Sequence, residues 1–217
     1  MGFSLPRFYA IIDPAQTGGR SPLEVCDVLL GVGVRLIQYR DKQASSRALF
    51  ENSRTLAERA CRAGGIFIVN DRADVVRAAG AHGVHVGQED LPVELCREVL
   101  GPEGLVGYST HDLVQLAEAD RSSANYLAFG PIFLTRSKEK PDPVVGLEGL
   151  AAARQATRKP LVAIGGITLE TARAVLEAGA DSLAVISDLL SAPDLAVRAR
   201  DFLRVVGEAP LSPGVRA

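Results

Sequence analysis

The chain alternates short apolar runs with longer amphipathic stretches from residue 8 to about residue 207. Each apolar run is rich in β-branched and aromatic residues, which favours a strand, and each longer stretch has apolar residues at helical spacing. Because the two patterns alternate eight times, they predict parallel strands joined by helical crossovers. The predicted strands are 8–13, 36–41, 66–71, 83–88, 105–110, 126–131, 161–166 and 182–187.

Eight such units predict an α/β protein, a closed (β/α)8 TIM barrel that forms a single domain over residues 1–207. An open, doubly wound sheet is the alternative, but it usually has a G-x-G-x-x-G turn after its first strand, and FYAIIDPAQTGG (8–19) has none. The stretch 208–217 is rich in Pro and Gly and has no periodicity, so we expect a loose C-terminal tail.

Local signals predict where several helices begin and end. Serine or threonine before an apolar period is typical of an N-cap, and glycine after the last turn is typical of a C-terminal stop. The predicted starts are Ser21, Ser45 or Ser46, and Thr168, and the predicted ends are Gly64 and Gly179.

Composition and charge exclude several classes of function. The net charge of −2 gives no basic excess for a broad nucleic-acid surface, although a small anionic ligand needs only a few local cations. No run of about 18 apolar residues occurs, so we expect no membrane span and a cytoplasmic location. The cysteines are far apart and form no CxxC or Cys/His cluster, which predicts reduced thiols rather than a zinc site. They are Cys26, Cys61 and Cys96.

The segment RLIQYRDK (35–42) carries polar side chains on an otherwise apolar strand. Because strand side chains alternate between faces, Gln38, Arg40 and Lys42 would share the face that points into the barrel, while Tyr39 would face the helices. Unpaired cations there are costly, and a bound polyanion would satisfy them. We therefore predict an anion site at the barrel mouth, the rim formed by the carboxyl ends of the strands. The alternative is a solvated face of an edge strand.

Two carboxylates follow consecutive strands. Asp71 and Asp90 end the third and fourth predicted strands, which a right-handed crossover makes neighbours. Paired carboxylates beside cations suit Mg²⁺, which also takes ligands from phosphate and water. The alternative is that each aspartate caps the helix after it.

The later strand ends predict a phosphate site. Gly165-Gly166 and Ser187 follow the last two predicted strands, where this fold commonly binds phosphate, although glycines also serve tight turns. The polar loop TRSKEKPDP (135–143) could fold over an anion, or could simply be solvated. His85 within the fourth strand is interpreted as a satisfied core histidine. No acid–base pair in distinct environments is evident.

Several blocks in one order resemble the thiamine-phosphate synthase family: IQYRDK, VNDRADVVRAAGAHGVHVGQEDLP, GYSTH, FGPIFLTRSK, VAIGGI and AVISDL. The resemblance implies a Mg²⁺-dependent transferase. It would join 4-amino-5-hydroxymethyl-2-methylpyrimidine diphosphate to a thiazole phosphate, giving thiamine phosphate and diphosphate. In the family the pyrimidine is thought to lose diphosphate as a stabilised carbocation, which the thiazole nitrogen captures without any general base.

The resemblance also implies roles for individual residues. The pyrimidine diphosphate would be held by Gln38, Arg40, Lys42, Asn70, Ser109 and Lys138, and the thiazole phosphate by Thr135, Ser137, Gly166, Ile186 and Ser187. Tyr39, Asp41 and Arg136 lie within the same motifs and are included among the substrate-binding residues, Asp71 and Asp90 would bind Mg²⁺, and Arg40, Lys42, Ser109 and Lys138 would be catalytic.

The sequence departs from the family pattern at several points. Ser137 stands where the family commonly has a second threonine, and EKPDPVVG differs from the shorter continuation expected.

Two rival interpretations accompany the resemblance. The closest rival, the related thiazole tautomerase, lacks the full metal and diphosphate set and usually has His where Pro131 stands. The other rival is a non-catalytic barrel that binds a thiazole or thiamine phosphate. The expected partners are small molecules, with no nucleic acid or membrane, and a homo-oligomer is compatible with the sequence.

Overall fold

Eight parallel strands close into one barrel in the computed structural model, which describes residues 5–135 and 142–209. Each strand pairs in parallel with the next along the chain, and the last pairs with the first, so the predicted (β/α)8 barrel is confirmed. The strands are β1 (Phe8–Ile12), β2 (Leu36–Tyr39), β3 (Ile66–Asn70), β4 (Gly83–Val86), β5 (Leu105–Thr110), β6 (Tyr126–Phe129), β7 (Leu161–Ile164) and β8 (Ser182–Val185).

All eight predicted strands are present, but every one except β5 ends one or two residues before its predicted end. The polar residues at those ends therefore lie on loops of the mouth. Arg40 and Lys42 follow the last residue of β2, so the alternation of strand side chains applies to Gln38 but not to them.

Helices surround the barrel between the strands. They are α1 (Pro22–Gly31), α2 (Ser46–Arg62), α3 (Ala73–Ala79), α4 (Val93–Leu100), α5 (Leu113–Asp120), α6 (Gly146–Ala156), α7 (Ala172–Glu177), α8 (Ser187–Leu190) and α9 (Leu195–Val206). A 3₁₀ turn, Pro14–Gln16, follows β1. The last helix packs back on the first strand, where the rings of Phe202 and Phe8 stack with centroids 5.0 Å apart.

Most of the predicted helix ends are confirmed. Ser21 caps α1 in a capping box with Glu24, and Ser45, rather than Ser46, caps α2 through its side chain. The glycines predicted as stops, Gly64 and Gly179, follow the C-caps of α2 and α7 with positive φ. Thr168 is a wrong prediction, because a turn of 3 residues separates it from α7, whose N-cap is Thr171.

The barrel separates two apolar cores. Outward-facing strand residues pack against the helices, while inward-facing ones fill the barrel interior. The interior contains Tyr9, Ile11, Leu36, Ile68, Tyr126, Ala128, Val162 and Ala184. The three cysteines are free thiols, as predicted, with Cys26 and Cys96 buried and Cys61 exposed. Among the described helices, none is both long and apolar enough to cross a membrane.

Candidate active site at the barrel mouth

Arg40, just beyond β2, is held by a carboxylate from the neighbouring strand end. Its Nη1 donates to Oδ2 of Asp13 over 2.6 Å, and Asp13 is 4% exposed. The other oxygen of Asp13 accepts from the backbone N–H of Ala15, so this carboxylate also caps the turn after β1. The sequence-based expectation of an unpaired cation is wrong for Arg40, because Asp13 compensates its charge and orients it.

Lys42 lies on the β3 side of the same rim and forms a salt bridge with Asp71. The side chain of Asp90, from the loop after β4, lies close enough to Asp71 to affect its pKa. Partial burial raises the pKa of Asp71, and the adjacent Asp90 carboxylate raises it further against the opposing effect of Lys42. The mouth therefore gathers two cations and two metal-ligand candidates on one side of the molecule, as predicted.

The aspartates do not serve as helix caps. The cap positions of α3 and α4 are Arg72 and Pro92, neither helix has a side-chain cap bond, and Asp90 instead accepts from the backbone N–H of Gly87 over 2.7 Å. Asp71 has φ +62°, the one positive φ outside glycine among the residues that the structure describes. Its backbone N–H donates to the carbonyl of His85 over 2.8 Å, which ties this left-handed residue to β4. Backbone strain of this kind concentrates at functional sites.

The first two residues of the segment 38–42 lie on opposite sides of the barrel wall. Gln38 points into the barrel interior, as predicted, and its Nε2 donates to the hydroxyl of Tyr9 over 2.7 Å. Tyr39 is buried on the helix side, where its hydroxyl donates to Asp41 and accepts from Asn52 of α2. The Tyr39 hydroxyl is therefore engaged with Asp41 and Asn52, and the predicted substrate-binding role of Tyr39 stays a prediction.

Asp41 is used within its own loop. Its Oδ1 accepts from the backbone N–H groups of Gln43 and Ala44 at 3.1 and 3.0 Å, and its Oδ2 from Tyr39. A carboxylate would also repel a phosphate. Asp41 thus orders its own loop, and its predicted substrate-binding role stays a prediction.

A continuous hydrogen-bonded chain crosses the barrel interior below the mouth. From Gln38 it runs through the hydroxyls of Tyr9 and Tyr126, 2.9 Å apart, to Nδ1 of His85 at 3.1 Å. Nε2 of His85 lies 2.8 Å from Oγ of Ser109. His85 is the satisfied core histidine that the sequence predicted, and burial lowers its pKa to about 4. Gln38 and Ser109, two predicted substrate contacts, are therefore held by hydrogen bonds to side chains of the barrel interior.

The loops after β7 and β8 meet on the opposite part of the rim. Gly165 and Gly166 have φ +98° and +66°, and a Cβ on Gly166 would lie 2.4 Å from the carbonyl oxygen of Leu134. The glycine pair therefore lets the loop after β6 pack closely against the loop after β7. This is a structural role for the glycines, the alternative to phosphate binding that the sequence left open. Ser187 donates to Oε1 of Gln16 over 2.6 Å, and Ile186, between β8 and Ser187, is the N-cap of α8.

The loop after β6 is partly outside the described residues. Thr135 is the last described residue before the gap, half-buried at the mouth. Arg136, Ser137 and Lys138 fall in the undescribed stretch 136–141, so their predicted roles stay predictions. Asn70 ends β3 directly before Asp71, which places it on the same rim as predicted.

Sequence reasoning missed four residues that support the site: Asp13, Gln16, Tyr9 and Tyr126. Asp13 carries a signal that could have found it, because it ends the first predicted strand and so lies on the rim. The two tyrosines look like ordinary core residues in the sequence, and only the pairing of their hydroxyls across the barrel reveals their role.

Fold and site together define the class of protein: a (β/α)8 barrel whose mouth brings two cations beside a pair of carboxylates. The model of the family described as thiamine monophosphate synthase matches residues 8–189. The chain belongs to this family, which makes it a transferase of thiamine biosynthesis, as the sequence predicted.

Individual relatives agree over nearly the whole chain. A thiamine-phosphate synthase of Koribacter versatilis is 51% identical over 94% of this chain and 98% of its own length. One from Chloroflexus aurantiacus is 42% identical over 92% of each chain. The solved structure of a thiamine phosphate pyrophosphorylase from Pyrococcus furiosus has a TM-score of 0.85 and 34% identity, and covers 93% of this chain and 95% of that one.

Proposed function

We propose that this chain couples 4-amino-5-hydroxymethyl-2-methylpyrimidine diphosphate with hydroxyethylthiazole phosphate to give thiamine phosphate and diphosphate. The observation that carries the proposal is the convergence of Arg40 and Lys42 with Asp71 and Asp90 at one rim of the barrel. A diphosphate accompanied by a divalent cation has the complementary arrangement of charge. The names of the relatives support the same reaction.

The diphosphate would lie against Arg40, Lys42 and Ser109, with Gln38 and Asn70 contacting the pyrimidine diphosphate and Lys138 completing the cation set. Lys42 is well suited to exchange partners, since its side chain is 53% exposed and its ion pair with Asp71 is at the surface. Arg40 is less exposed and is oriented by Asp13, so it provides a fixed cation. Arg40 and Lys42 would together stabilise the negative charge that develops on the leaving diphosphate.

The two carboxylates fit Mg²⁺. Two adjacent acidic side chains repel each other, which is the reason that the pKa of Asp71 is raised beyond the effect of burial, and a divalent cation would remove that repulsion. Among the described residues no group of three or more His, Cys, Asp or Glu side chains could hold a metal ion. Mg²⁺ commonly takes only one or two carboxylates, with phosphate and water as the other ligands. Bound there, it would supply positive charge to the phosphate oxygens.

The chemistry asked of the protein is to stabilise a leaving diphosphate and to exclude water. A dissociative substitution needs no general base, since the attacking thiazole nitrogen carries no proton. The interior fits this requirement: burial lowers the pKa of His85 to about 4 and raises that of Tyr126 well above its usual range. Neither group therefore exchanges a proton at neutral pH, and both act as fixed dipoles.

The thiazole phosphate would occupy the side of the mouth formed after β6, β7 and β8. Gly166, Ile186 and Ser187 supply backbone and hydroxyl groups there, and Thr135, Arg136 and Ser137 would contact it from the loop after β6. The contact between Ser187 and Gln16 supports a preformed position for the hydroxyl. A cytoplasmic location and a homo-oligomeric state stay predictions.

The test is release of diphosphate by purified protein given both substrates and Mg²⁺. We expect release that requires both substrates, stops with EDTA and returns with excess Mg²⁺. Lys42→Ala should raise KM for the pyrimidine diphosphate at least about tenfold, the effect of one charge-assisted hydrogen bond. Arg47→Ala, which removes a nearby exposed cation, is the matched control and should be neutral.

Two other outcomes would reject the proposal. Isomerisation of the thiazole phosphate without diphosphate release would identify a tautomerase. Binding of either phosphate with no turnover under any metal condition would identify a non-catalytic binding protein.

A further inference from the structure

The barrel interior contains a polar chain where an apolar core would be expected. Gln38, Tyr9, Tyr126 and His85 are 2, 1, 0 and 7% exposed, and they are surrounded by the apolar interior core of the barrel. Four consecutive contacts of 2.7, 2.9, 3.1 and 2.8 Å connect Gln38 to Ser109. Polar groups buried at this depth are costly unless every hydrogen finds an acceptor, so the chain must have an ordered direction.

The amide nitrogen of Gln38 sets that direction. An amide nitrogen only donates, so Tyr9 accepts from Gln38 and its own hydrogen goes to Tyr126. Tyr126 in turn donates to Nδ1 of His85. A neutral imidazole with an accepting Nδ1 carries its proton on Nε2, and Nε2 donates to Oγ of Ser109. The hydroxyl hydrogen of Ser109 is then left to point towards the mouth.

Gly107 provides the space that the hydrogen-bonded side chains need. Gly107 of β5 lies beside His85 in the sheet register, and a Cβ there would be 2.1 Å from Cζ of Tyr126 and 2.5 Å from Nδ1 of His85. Real Cβ atoms do not approach so closely. Glycine at 107 therefore allows the two rings to stack, with centroids 5.5 Å apart, and to meet through hydroxyl and imidazole.

We propose that Tyr9, Tyr126 and His85 are positioning residues that transmit the orientation of the Gln38 amide to Ser109, so that the Ser109 hydroxyl donates into the mouth. The inference rests on the proposed function for the identity of the acceptor, the diphosphate of the substrate. A hydroxyl whose hydrogen already points at the leaving group stabilises its growing charge without reorganisation. These hydrogen bonds orient the Ser109 hydroxyl and transfer no proton.

The first test does not depend on activity. Because the protein has 3 histidines, a long-range ¹H–¹⁵N spectrum of the imidazole nitrogens can be assigned with the variants His82→Gln and His111→Gln. We expect His85 as the neutral tautomer protonated at Nε2 near pH 7. A neutral His85 protonated at Nδ1 would reverse every bond of the chain and overturn the proposal, whether or not the enzyme has the proposed activity.

The second test separates positioning from structure. Tyr126→Phe keeps the ring and removes the donor to His85. We expect it to lower kcat about tenfold with little change in KM for the thiazole phosphate, and to populate both His85 tautomers. Tyr108→Phe, on the outward face of the same sheet, should leave both readouts unchanged. Wild-type kcat and an unchanged tautomer in Tyr126→Phe would overturn the proposal.

If diphosphate release is absent from the wild-type protein, the proposed function fails while the tautomer experiment still decides the direction of the chain. Should Tyr126→Phe fold poorly, Tyr9→Phe provides the same test one link away, since it breaks the connection between Gln38 and Tyr126.

Discussion

Arg40, which directly follows β2, is fixed by Asp13, which directly follows β1, through a 2.6 Å bond to a carboxylate that is almost fully buried. The pair joins two residues 27 positions apart and holds a cation at the mouth at a defined angle. Because one oxygen of Asp13 also caps the turn after β1, the carboxylate links the geometry of that loop to the position of the guanidinium.

We expect Asp13→Asn to lower kcat/KM about tenfold and the free energy of unfolding by about 2 kcal/mol. Asparagine keeps an acceptor for the turn but leaves Arg40 partly buried without a counter-charge. Asp27→Asn, which removes the carboxylate from an exposed pair with Arg59, is the control and should change stability by less than about 1 kcal/mol. Chemical denaturation and steady-state kinetics measure both. Equal effects of the two variants would show that Asp13 is an ordinary surface partner.

Asp71→Asn and Asp90→Asn should lower kcat/KM at least about 100-fold, corresponding to about 3 kcal/mol of lost transition-state stabilisation. Asparagine is chosen because it tolerates the positive φ of Asp71, which alanine does not. Asp71→Asn also removes repulsion between two carboxylates, so the melting temperature should stay the same or rise.

The control for the metal site is Asp74→Asn, an exposed aspartate that pairs with Arg72 and lies three residues from Asp71. It should leave the dependence of rate on Mg²⁺ concentration unchanged, while the Asp71 and Asp90 variants require more Mg²⁺. A large fall in melting temperature for Asp71→Asn, with an unaltered Mg²⁺ dependence, would make Asp71 structural.

His85 should make the protein less stable in mild acid. Its pKa is about 4 when folded and about 6.5 when unfolded, so between these values the unfolded chain binds the proton and the folded one does not. This contribution to stability is complete above pH 6.5 and is lost as pH falls towards 4, by about 2 kcal/mol between pH 7 and pH 5. Denaturation curves of wild type and His85→Gln at both pH values measure it. The same pH dependence in both proteins would contradict the prediction.

Gly166→Ala should lower the free energy of unfolding by more than the cost of placing alanine at a positive φ. Both Gly166 and Gly80 have φ near +67°, but a Cβ on Gly166 meets the backbone of Leu134 at 2.4 Å while one on Gly80 meets nothing within 4 Å. Gly80→Ala should cost about 1 kcal/mol, the cost of the left-handed conformation.

Gly166→Ala should cost more and should also raise KM for the thiazole phosphate, because the loop after β6 must move away. Denaturation together with kinetics at varied thiazole phosphate checks both parts. Equal costs for the two variants would show that the loop adapts without loss.

Much of the site could be predicted from strand ends alone. Once eight strands are assigned, barrel closure brings their carboxyl ends to one rim, so the proximity of Lys42, Asp71 and Asp90 follows from topology. The side-chain pairings could not be predicted. Tyr39 and Asp41 share a motif with Gln38 and Arg40, yet the first packs on α2 and the second structures its own loop.

The sequence by itself determined the eight βα units, the order of the strands, the family and the rim on which the polar residues meet, because hydrophobic periodicity and motif order are local properties of the chain. Only the tertiary structure decided that Asp13 holds Arg40 and that a buried chain of hydroxyls connects Gln38 to Ser109. Those contacts depend on the register of strands far apart in sequence, and on burial, which turns an ordinary tyrosine into a group whose hydrogen must find an acceptor.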